Sequence, residues 1–291
     1  MITVIGSINV DLVAVADALP QAGETLLGKA FVTAPGGKGA NQALAATRAG
    51  ASVRMVGAVG SDPFASVAVA QLAADGVALS GVETVPGATG VAVILVGRQG
   101  DNVIVVVPGA NAQVGVRQAE RSLAEVSDGL VLLQQEIPAA TVSFALDAAR
   151  AKGMLSVLNT APASDDSRLL AAKADVLVAN EGEFERIAGH GAFGRAVADL
   201  ARTNGQTVVV TRGAAGALVA TADGEVAEIR APTVEAIDTV GAGDTFCGYL
   251  AAGLSRGLPL RASIDRAVRA ASLACTRTGA QSAVPTADEV D

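Results

Sequence analysis

Residues 129–158 read GLVLLQQEIPAATVSFALDAARAKGMLSVL, two short apolar runs on either side of an alanine-rich segment. The run at 129–134 predicts a strand, 138–152 predicts a helix, and 155–158 predicts a second strand. The strands are almost continuously apolar, which is typical of strands covered on both faces in a parallel sheet. The stretch therefore predicts a strand–helix–strand unit of an α/β protein.

The same alternation extends in both directions along the chain. Further strands are predicted at 2–6, 53–58, 175–179 and 207–211. Further helices are predicted at 40–49, 62–74, 115–125, 193–204, 243–256 and 261–276. We therefore predict one domain over 1–291, with three layers (α/β/α) around a mostly parallel central sheet.

Two regions interrupt this alternation. Residues 91–96 and 103–107 flank GRQGDN and predict a hairpin, whereas residues 11–34 have short β-prone pieces and no helix. We predict that about 11–35 and 88–108 form a small β-sheet lid over a ligand. Exposed strand edges find partners, so a homodimer through the lid is expected. A second hairpin, 216–220 with 226–230, turns at Asp223-Gly224.

The composition excludes several function classes. A net charge of −8 argues against nucleic acid and anionic membrane surfaces as partners. Cys247 and Cys275, without clustered histidines, cannot form a zinc site. No basic region precedes the first strand and no apolar run approaches about 18 residues, so we expect no secretory signal, no membrane span and a cytoplasmic protein.

Polar residues follow several predicted strands, where ligands bind in open parallel sheets. Asn9 and Asp11 could hydrogen-bond to vicinal hydroxyls, or cap backbone groups in a turn. Glu136 could bind a hydroxyl or lie in the first turn of a helix. Asn180 and Glu183 are three residues apart and share a helix face, where they could serve a ligand or cap the helix.

Two glycine-rich loops favour a phosphate ligand. Residues 35–42, PGGKGANQ, combine three glycines with Lys38 before a helix, so backbone and helix N-terminus could approach an anion. The P-loop spacing is absent, and a plain turn before the helix is the alternative. In TRGAAG, residues 211–216, Arg212 offers a fork of donors for phosphate.

The segment DTVGAGDTF, residues 238–246, carries the strongest chemical signal. Gly241, Ala242 and Gly243 would present successive N–H groups at a helix start, which makes an anion hole for phosphoryl transfer. Asp244 lies beside it and could accept the proton of an attacking hydroxyl. Its alternative role is favourable pairing with the helix dipole, and both roles are compatible.

Six segments occur in one order: GSINVD, GGKGANQA, TGVAVILV, PGAN, TRGAAG and DTVGAGDTF. Together they resemble the ribokinase family of sugar and nucleoside kinases, over about residues 2–285. The resemblance implies ATP-dependent phosphorylation of the terminal hydroxymethyl of D-ribose, with Mg²⁺ and a monovalent cation, K⁺. Another acceptor (a deoxyribose, a ketohexose or a nucleoside) and a non-catalytic sugar-binding protein are the alternatives.

The resemblance also implies residue roles. The sugar would be held by Asn9, Asp11, Gly37, Lys38, Gly39, Ala40, Asn41, Glu136 and Asp244. The nucleotide would be bordered by Asn180, Thr211, Arg212, Gly213, Ala214, Ala215, Gly216 and Gly243. The cation would be held by Asp238, Val240, Ala274, Arg277 and Gly279. Glu183 would serve the magnesium region, and catalysis would fall to Asp244 as base with Gly241, Ala242 and Gly243 as anion hole.

Two positions depart from the family pattern. Ala283 stands where members of the family often have a cation-binding Ser, and Val268 stands where some relatives have a His facing adenine. The first departure predicts weaker binding of the monovalent cation.

Overall fold

The computed structural model describes residues 1–98, 101–189 and 193–291. The strands are β1 Ile2–Ile5, β2 Asn9–Val15, β3 Ala30–Gly36, β4 Val53–Gly60, β5 Ala78–Val85, β6 Gly90–Val96, β7 Asn102–Val107, β8 Leu130–Leu133, β9 Leu155–Asn159, β10 Val176–Asn180, β11 Thr207–Thr211, β12 Ala217–Ala220 and β13 Val226–Ile229. The helices are α1 Lys38–Arg48, α2 Phe64–Ala74, α3 Val116–Ala124, α4 Ala139–Ala151, α5 Ser167–Ala171, α6 Glu181–Ala188, α7 Phe193–Asn204, α8 Ala242–Ser255, α9 Leu260–Ala274 and α10 Ala287–Val290. Short 3₁₀ turns cover Gly109–Gln113 and Gly213–Ala215.

The large sheet has nine strands in the order β13-β12-β11-β10-β9-β8-β1-β4-β5. The strands from β11 to β5 pair in parallel, and β12 and β13 extend one edge as an antiparallel hairpin. This arrangement confirms the predicted mostly parallel sheet. It also brings the carboxyl ends of β1, β8, β9, β10 and β11 to one edge, where ligands bind in such folds.

Helices cover both faces of this sheet, because its central strands are apolar on both sides. Val4 packs in a cluster with Leu44 of α1 and Leu250 of α8. The next residue, Ile5, points to the opposite face and packs in a second cluster with Leu146 of α4. The predicted three-layer architecture is therefore confirmed. Every helix in the described ranges is too short or too polar to cross a lipid bilayer.

A second, four-stranded sheet has the order β3-β2-β6-β7. Its hairpins are antiparallel, and β2 pairs in parallel with β6 from Asn9 and Gly90 onwards. The bounds of these four strands nearly coincide with residues 11–35 and 88–108, the segments predicted to form a lid. The predicted turn of the β6–β7 hairpin includes residues 99 and 100, which lie outside the described residues.

Strand β5 was not predicted from the sequence. It lies at the edge of the large sheet, most of its residues are partly or fully exposed, and Gly81 interrupts it. A strand exposed in this way needs no apolar run, so the pattern typical of the central strands is missing. The short helices α5 and α10 were also not predicted, whereas α6 begins where the spacing of Asn180 and Glu183 indicated a helix.

Candidate active site

Three adjoining cavities lie at the carboxyl edge of the large sheet. We call them the front cavity, of about 650 Å³, the rear cavity, of about 670 Å³, and the bridging cavity, of about 210 Å³. Lys38, Gly241 and Asp244 line both the front and the bridging cavity. Asn180, Thr211, Thr239 and Gly243 line both the rear and the bridging cavity. The bridging cavity therefore joins the other two.

The front cavity is polar at its base and apolar at its cover. The polar side chains are Asn9, Asp11, Lys38, Asn41, Asn111, Gln135, Glu136 and Asp244. The cover comes from the second sheet, through Ala92 and Ile94 of β6 and Ile104 and Val106 of β7. Of the predicted sugar residues, Gly39 and Ala40 do not line this cavity and are buried in the first turn of α1.

Asp11 has an unusual environment for a carboxylate. Burial, together with the nearby negative charges of Glu136 and Asp244, raises the pKa of Asp11 to about 6. No described residue donates a hydrogen bond to this carboxylate. Gly36 packs against it, since a Cβ at Gly36 would lie 2.3 Å from Asp11 Oδ1. Asp11 is therefore a close-packed acceptor whose hydrogen-bonding capacity is unused.

Glu136 is fixed to the start of α1. Its Oε2 accepts hydrogen bonds from Ser7 Oγ at 2.6 Å and from the Lys38 backbone N–H at 3.1 Å. Ser7 Oγ in turn accepts from the Gly39 N–H at 3.2 Å. Sequence reasoning missed Ser7, although it lies within GSINVD, because a fully buried serine looks like any other small core residue.

Asn111 holds Asn9 in one orientation. Asn111 Nδ2 donates to Asn9 Oδ1 at 2.6 Å and to the Ile8 carbonyl at 3.2 Å, while its Oδ1 accepts from the Ile8 N–H at 2.8 Å. The oxygen of the Asn9 amide is thereby occupied, and its NH₂ remains as the available donor. Asn111 belongs to the PGAN segment, to which no role was assigned from the sequence.

Asp244 lies in the first turn of α8 and is 6% exposed. Its Oδ2 accepts from Asn41 Nδ2 at 3.0 Å, and its Oδ1 accepts from Gln42 Nε2 at 2.9 Å. Both donors come from α1, so two helices distant in sequence meet at this carboxylate. The negative charge of Asp244 is also the main cause of a raised pKa at Lys38.

The predicted anion hole begins with a turn that requires glycine. Gly241 has φ +75°, and a Cβ there would also come within 2.9 Å of Ala280 Cα. The first N–H groups of a helix lack intrahelical acceptors, which makes them available to an anion. At this turn the Ala242 N–H donates to the Thr239 carbonyl at 3.3 Å, and a Cβ at Gly243 would meet no atom within 4 Å.

The rear cavity is lined by only part of the predicted nucleotide set. Thr211, Gly213, Ala214 and Gly216 line it together with Asn180 and Gly243. Arg212 and Ala215 do not line it. The Arg212 guanidinium instead pairs with Glu228 at 3.1 Å and with Glu181 at 3.5 Å. Val268 of α9 lines the opposite wall, with Phe246 and Ala271.

Asn180 and Glu183 form a capping box at the start of α6. Glu183 N–H donates to Asn180 Oδ1 at 2.8 Å, and Asn180 N–H donates to Glu183 Oε2 at 2.9 Å. The structural alternative considered for this pair is therefore present. Both residues also line the bridging cavity, so a helix cap is compatible with a place beside a ligand.

Asp238 ties together the two loops predicted to hold a cation. Its Oδ1 accepts from the Val240 N–H at 3.0 Å and its Oδ2 accepts from the Gly279 N–H at 2.8 Å. The Ala274 carbonyl accepts from the Arg277 N–H at 3.1 Å. No described residue donates a hydrogen bond to the carbonyl oxygen of Val240 or Gly279. Ala283 is buried in the same region and contributes no side-chain oxygen.

Comparison with known proteins gives the class of this site. Residues 1–287 match the pfkB family of carbohydrate kinases, and the chain belongs to that family. It is 38% identical over 291 residues to a ribokinase of Bacillus subtilis, covering 100% of this chain and 98% of the relative. It is 36% identical over 299 residues to a deoxyribokinase of Salmonella typhi, covering 99% and 96%. A solved structure of Arabidopsis thaliana ribokinase complexed with ribose and ATP covers 99% of this chain and 96% of its own, with a TM-score of 0.88 and 29% identity.

Proposed function

We propose that this chain transfers the γ-phosphoryl group of ATP to the terminal hydroxymethyl of D-ribose, giving ribose 5-phosphate and ADP. The observation that carries the proposal is the position of Asp244, which lines both the front and the bridging cavity. A sugar in the front cavity and a nucleotide in the rear cavity would meet there. The Arabidopsis relative, which was solved with ribose and ATP, supports this pair of substrates.

The proposed transfer is a direct displacement. The sugar hydroxyl oxygen forms a bond to the γ-phosphorus, the bond to the β–γ bridging oxygen breaks, and the hydroxyl proton passes to Asp244. Gly241 and Gly243 begin the helix that would stabilise charge on the transferring group. Lys38 lines the same space and adds a positive charge.

The remaining polar groups of the front cavity would hold the sugar. The free acceptor of Asp11 and the free donor of Asn9 suit vicinal hydroxyls, which both donate and accept. The apolar cover formed by β6 and β7 would close over the sugar as a lid and exclude water, which limits hydrolysis of ATP.

ATP would lie in the rear cavity with its phosphates towards Gly243. No three His, Cys, Asp or Glu side chains converge as a metal cluster anywhere in the described residues. A Mg²⁺ ion would therefore arrive with the ATP phosphates and be served by Glu183, which faces the bridging cavity.

The loops joined by Asp238 suit a monovalent cation. The Asp238 carboxylate and the carbonyls of Val240, Ala274, Arg277 and Gly279 would supply oxygen ligands only, which K⁺ accepts. Two of those carbonyls, at Val240 and Gly279, are free of hydrogen bonds from the described residues. A K⁺ ion there would stiffen the loop that leads into Gly241.

Another acceptor sugar is the nearest alternative, and the deoxyribokinase relative favours deoxyribose. A nucleoside fits less well, because no aromatic side chain of the described residues lines the front cavity to stack on a base. A non-catalytic sugar-binding protein would have no need for Asp244 between two cavities.

We also propose that the enzyme is a homodimer through the second sheet and that it works in the cytoplasm. Val103, Val105 and Val107 of β7 are each about half exposed, on the face away from the front cavity. Cys247 and Cys275 are free thiols, as in proteins of reducing compartments.

The test of the proposed activity is ADP release in a coupled assay with ATP, Mg²⁺ and K⁺ and a panel of ribose, deoxyribose, ketohexoses and nucleosides. Ribose should give the highest kcat/KM. A higher value with deoxyribose would change the substrate, and no ADP release with any acceptor would overturn the assignment as a kinase.

A further inference from the structure

Gln42 lies beside the proposed base and has no part in the roles described so far. It is fully buried in α1 and lines none of the three cavities. Its Nε2 donates to Asp244 Oδ1 at 2.9 Å and to Asn159 Oδ1 at 3.1 Å. Its Oε1 accepts from Gln134 Nε2 at 2.7 Å. Both ends of this amide are therefore occupied by protein, and neither reaches a substrate.

Gln134 and Asp244 together favour one orientation of the Gln42 amide. Because the NH₂ of Gln134 points at Gln42 Oε1, the NH₂ of Gln42 is left for Asp244 and Asn159. The reversed amide would set an oxygen against the Asp244 carboxylate and a second oxygen, which is unfavourable in a buried site. The side chain of Gln134 is closely packed, since a Cβ at Gly6 would lie 1.9 Å from its Oε1.

The contacts of Gln42 tie the base to the rigid sheet. Gln134 directly follows β8 and Asn159 ends β9. Asn159 Nδ2 also donates to the Val178 carbonyl of β10 at 3.3 Å. Strands β8 and β9, and β10 through Asn159, are thus linked to Asp244 by one amide.

A base needs one oxygen held within reach of the hydroxyl proton. Asn41 holds one carboxylate oxygen and Gln42 holds the other, so rotation of the carboxylate is restricted. Asn41 lines the front cavity and would also contact the sugar, whereas Gln42 contacts only protein. A displacement of a reacting group by about 1 Å can lower the rate of such a reaction about 100-fold.

We propose that Gln42, oriented by Gln134, is the positioning residue that holds Asp244 in the geometry of a general base. The inference rests on the proposed role of Asp244. The charged or titratable groups that face this carboxylate are Lys38 of α1, Asp11 of β2 and Cys247 of α8. Glu136 also acts on Asp11 and Lys38, and Glu183 also acts on Lys38 and Cys247.

The test measures phosphoryl transfer in a single turnover, at saturating ribose and ATP, because product release could conceal changes in the chemical step. Gln42→Met should slow transfer about 10- to 100-fold, with less than about a threefold change in either KM. Gln134→Leu should slow it several-fold, because the Gln42 amide can then reverse. Gln118→Met is the matched control, since this buried glutamine loses two hydrogen bonds, to the Gly57 and Gly81 carbonyls, against three at Gln42, and it lines none of the three cavities.

A pH profile separates positioning from simple destabilisation. Gln42→Glu keeps the shape but sets a second carboxylate beside Asp244, and two such groups share one proton. As the pH is lowered, the rate of transfer should therefore begin to fall at a higher pH in this variant than in wild type. This variant also keeps the idea testable if Gln42→Met does not fold.

The outcomes are distinguishable from failure of the proposed function. If Asp244→Asn transfers at a rate close to wild type, Asp244 is not the base. If Asp244→Asn is inactive while Gln42→Met matches Gln118→Met in rate, or Gln42→Glu shows the wild-type pH profile, the positioning role of Gln42 is overturned.

Discussion

Asp244 is the main cause of the raised pKa of Lys38, although the two residues belong to helices α8 and α1 at opposite ends of the chain. Both line the front and the bridging cavity. A fixed positive charge therefore lies beside the proposed base, at the place where a phosphate would arrive. This relationship makes Asp244 the first residue to test.

Asp244→Asn should keep the fold and nearly abolish turnover. The amide is close in shape to the carboxylate but cannot accept a proton as readily, and loss of a general base typically lowers rates about 10²–10⁴-fold. The measurement is kcat for ribose phosphorylation, with thermal unfolding as the check on folding. A kcat within tenfold of wild type would contradict the assignment of the base.

Binding of ribose should weaken as the pH falls below about 6. The pKa of Asp11 is raised to about 6, so below that pH the free enzyme carries a protonated Asp11 that has lost acceptor capacity. The KM for ribose should then rise about tenfold between pH 7 and pH 5, and the KM for ATP should not follow it. Asp11→Asn should remove this dependence and raise the KM for ribose at pH 7. A ribose KM that is independent of pH in wild type would show that Asp11 does not contact the sugar.

Gly36→Ala should displace the Asp11 carboxylate and weaken ribose binding, although Asp11 itself is not replaced. The new Cβ would lie 2.3 Å from Asp11 Oδ1, so the carboxylate must move. The KM for ribose should rise at least several-fold while the KM for ATP stays unchanged. Gly194→Ala on α7 is the matched control, because nothing lies within 4 Å of its Cβ. Equal KM values for the two variants would mean that the position of Asp11 is not critical.

K⁺ should activate the enzyme, and Ala283→Ser should tighten its binding. Backbone carbonyls supply most of the proposed ligands, and Ala283 contributes none from its side chain. One added neutral ligand is worth about 1 kcal/mol, or about fivefold in affinity, less where a water already fills the gap. The measurement is a KCl titration at constant ionic strength. Absence of any response in both proteins would remove the cation site, and equal midpoints would place position 283 outside it.

Val105→Glu should convert the proposed dimer to a monomer. A charge in the middle of the exposed face of β7 would oppose association, while the fold of the large sheet should not change. Sedimentation velocity measures the outcome. Leu169→Glu serves as the control, since Leu169 is 71% exposed on α5, outside the second sheet. A wild-type protein that is already monomeric would exclude the dimer.

Much of the architecture follows from local sequence patterns. Strands covered on both faces must be apolar throughout, so runs such as 129–134 could be recognised without any knowledge of their neighbours. The DTVGAGD segment is equally local, since the glycine turn, the helix start and Asp244 are consecutive in the chain. The edge strand β5 was not predicted, because an exposed strand does not have to be apolar throughout.

The contacts that make these residues a site were decided only by the tertiary structure. Gln42 and Asp244 are 202 residues apart, and Asn9 and Asn111 are 102 apart, so no periodicity connects them. The sequence around a buried amide side chain does not indicate which residue will be its hydrogen-bond partner. The same reason explains Arg212, whose guanidinium is directed to Glu228 and Glu181 by the surrounding fold and not to the rear cavity. The sequence alone determined which residue types stand at the strand ends; the order of the strands in the sheet determined which of them meet.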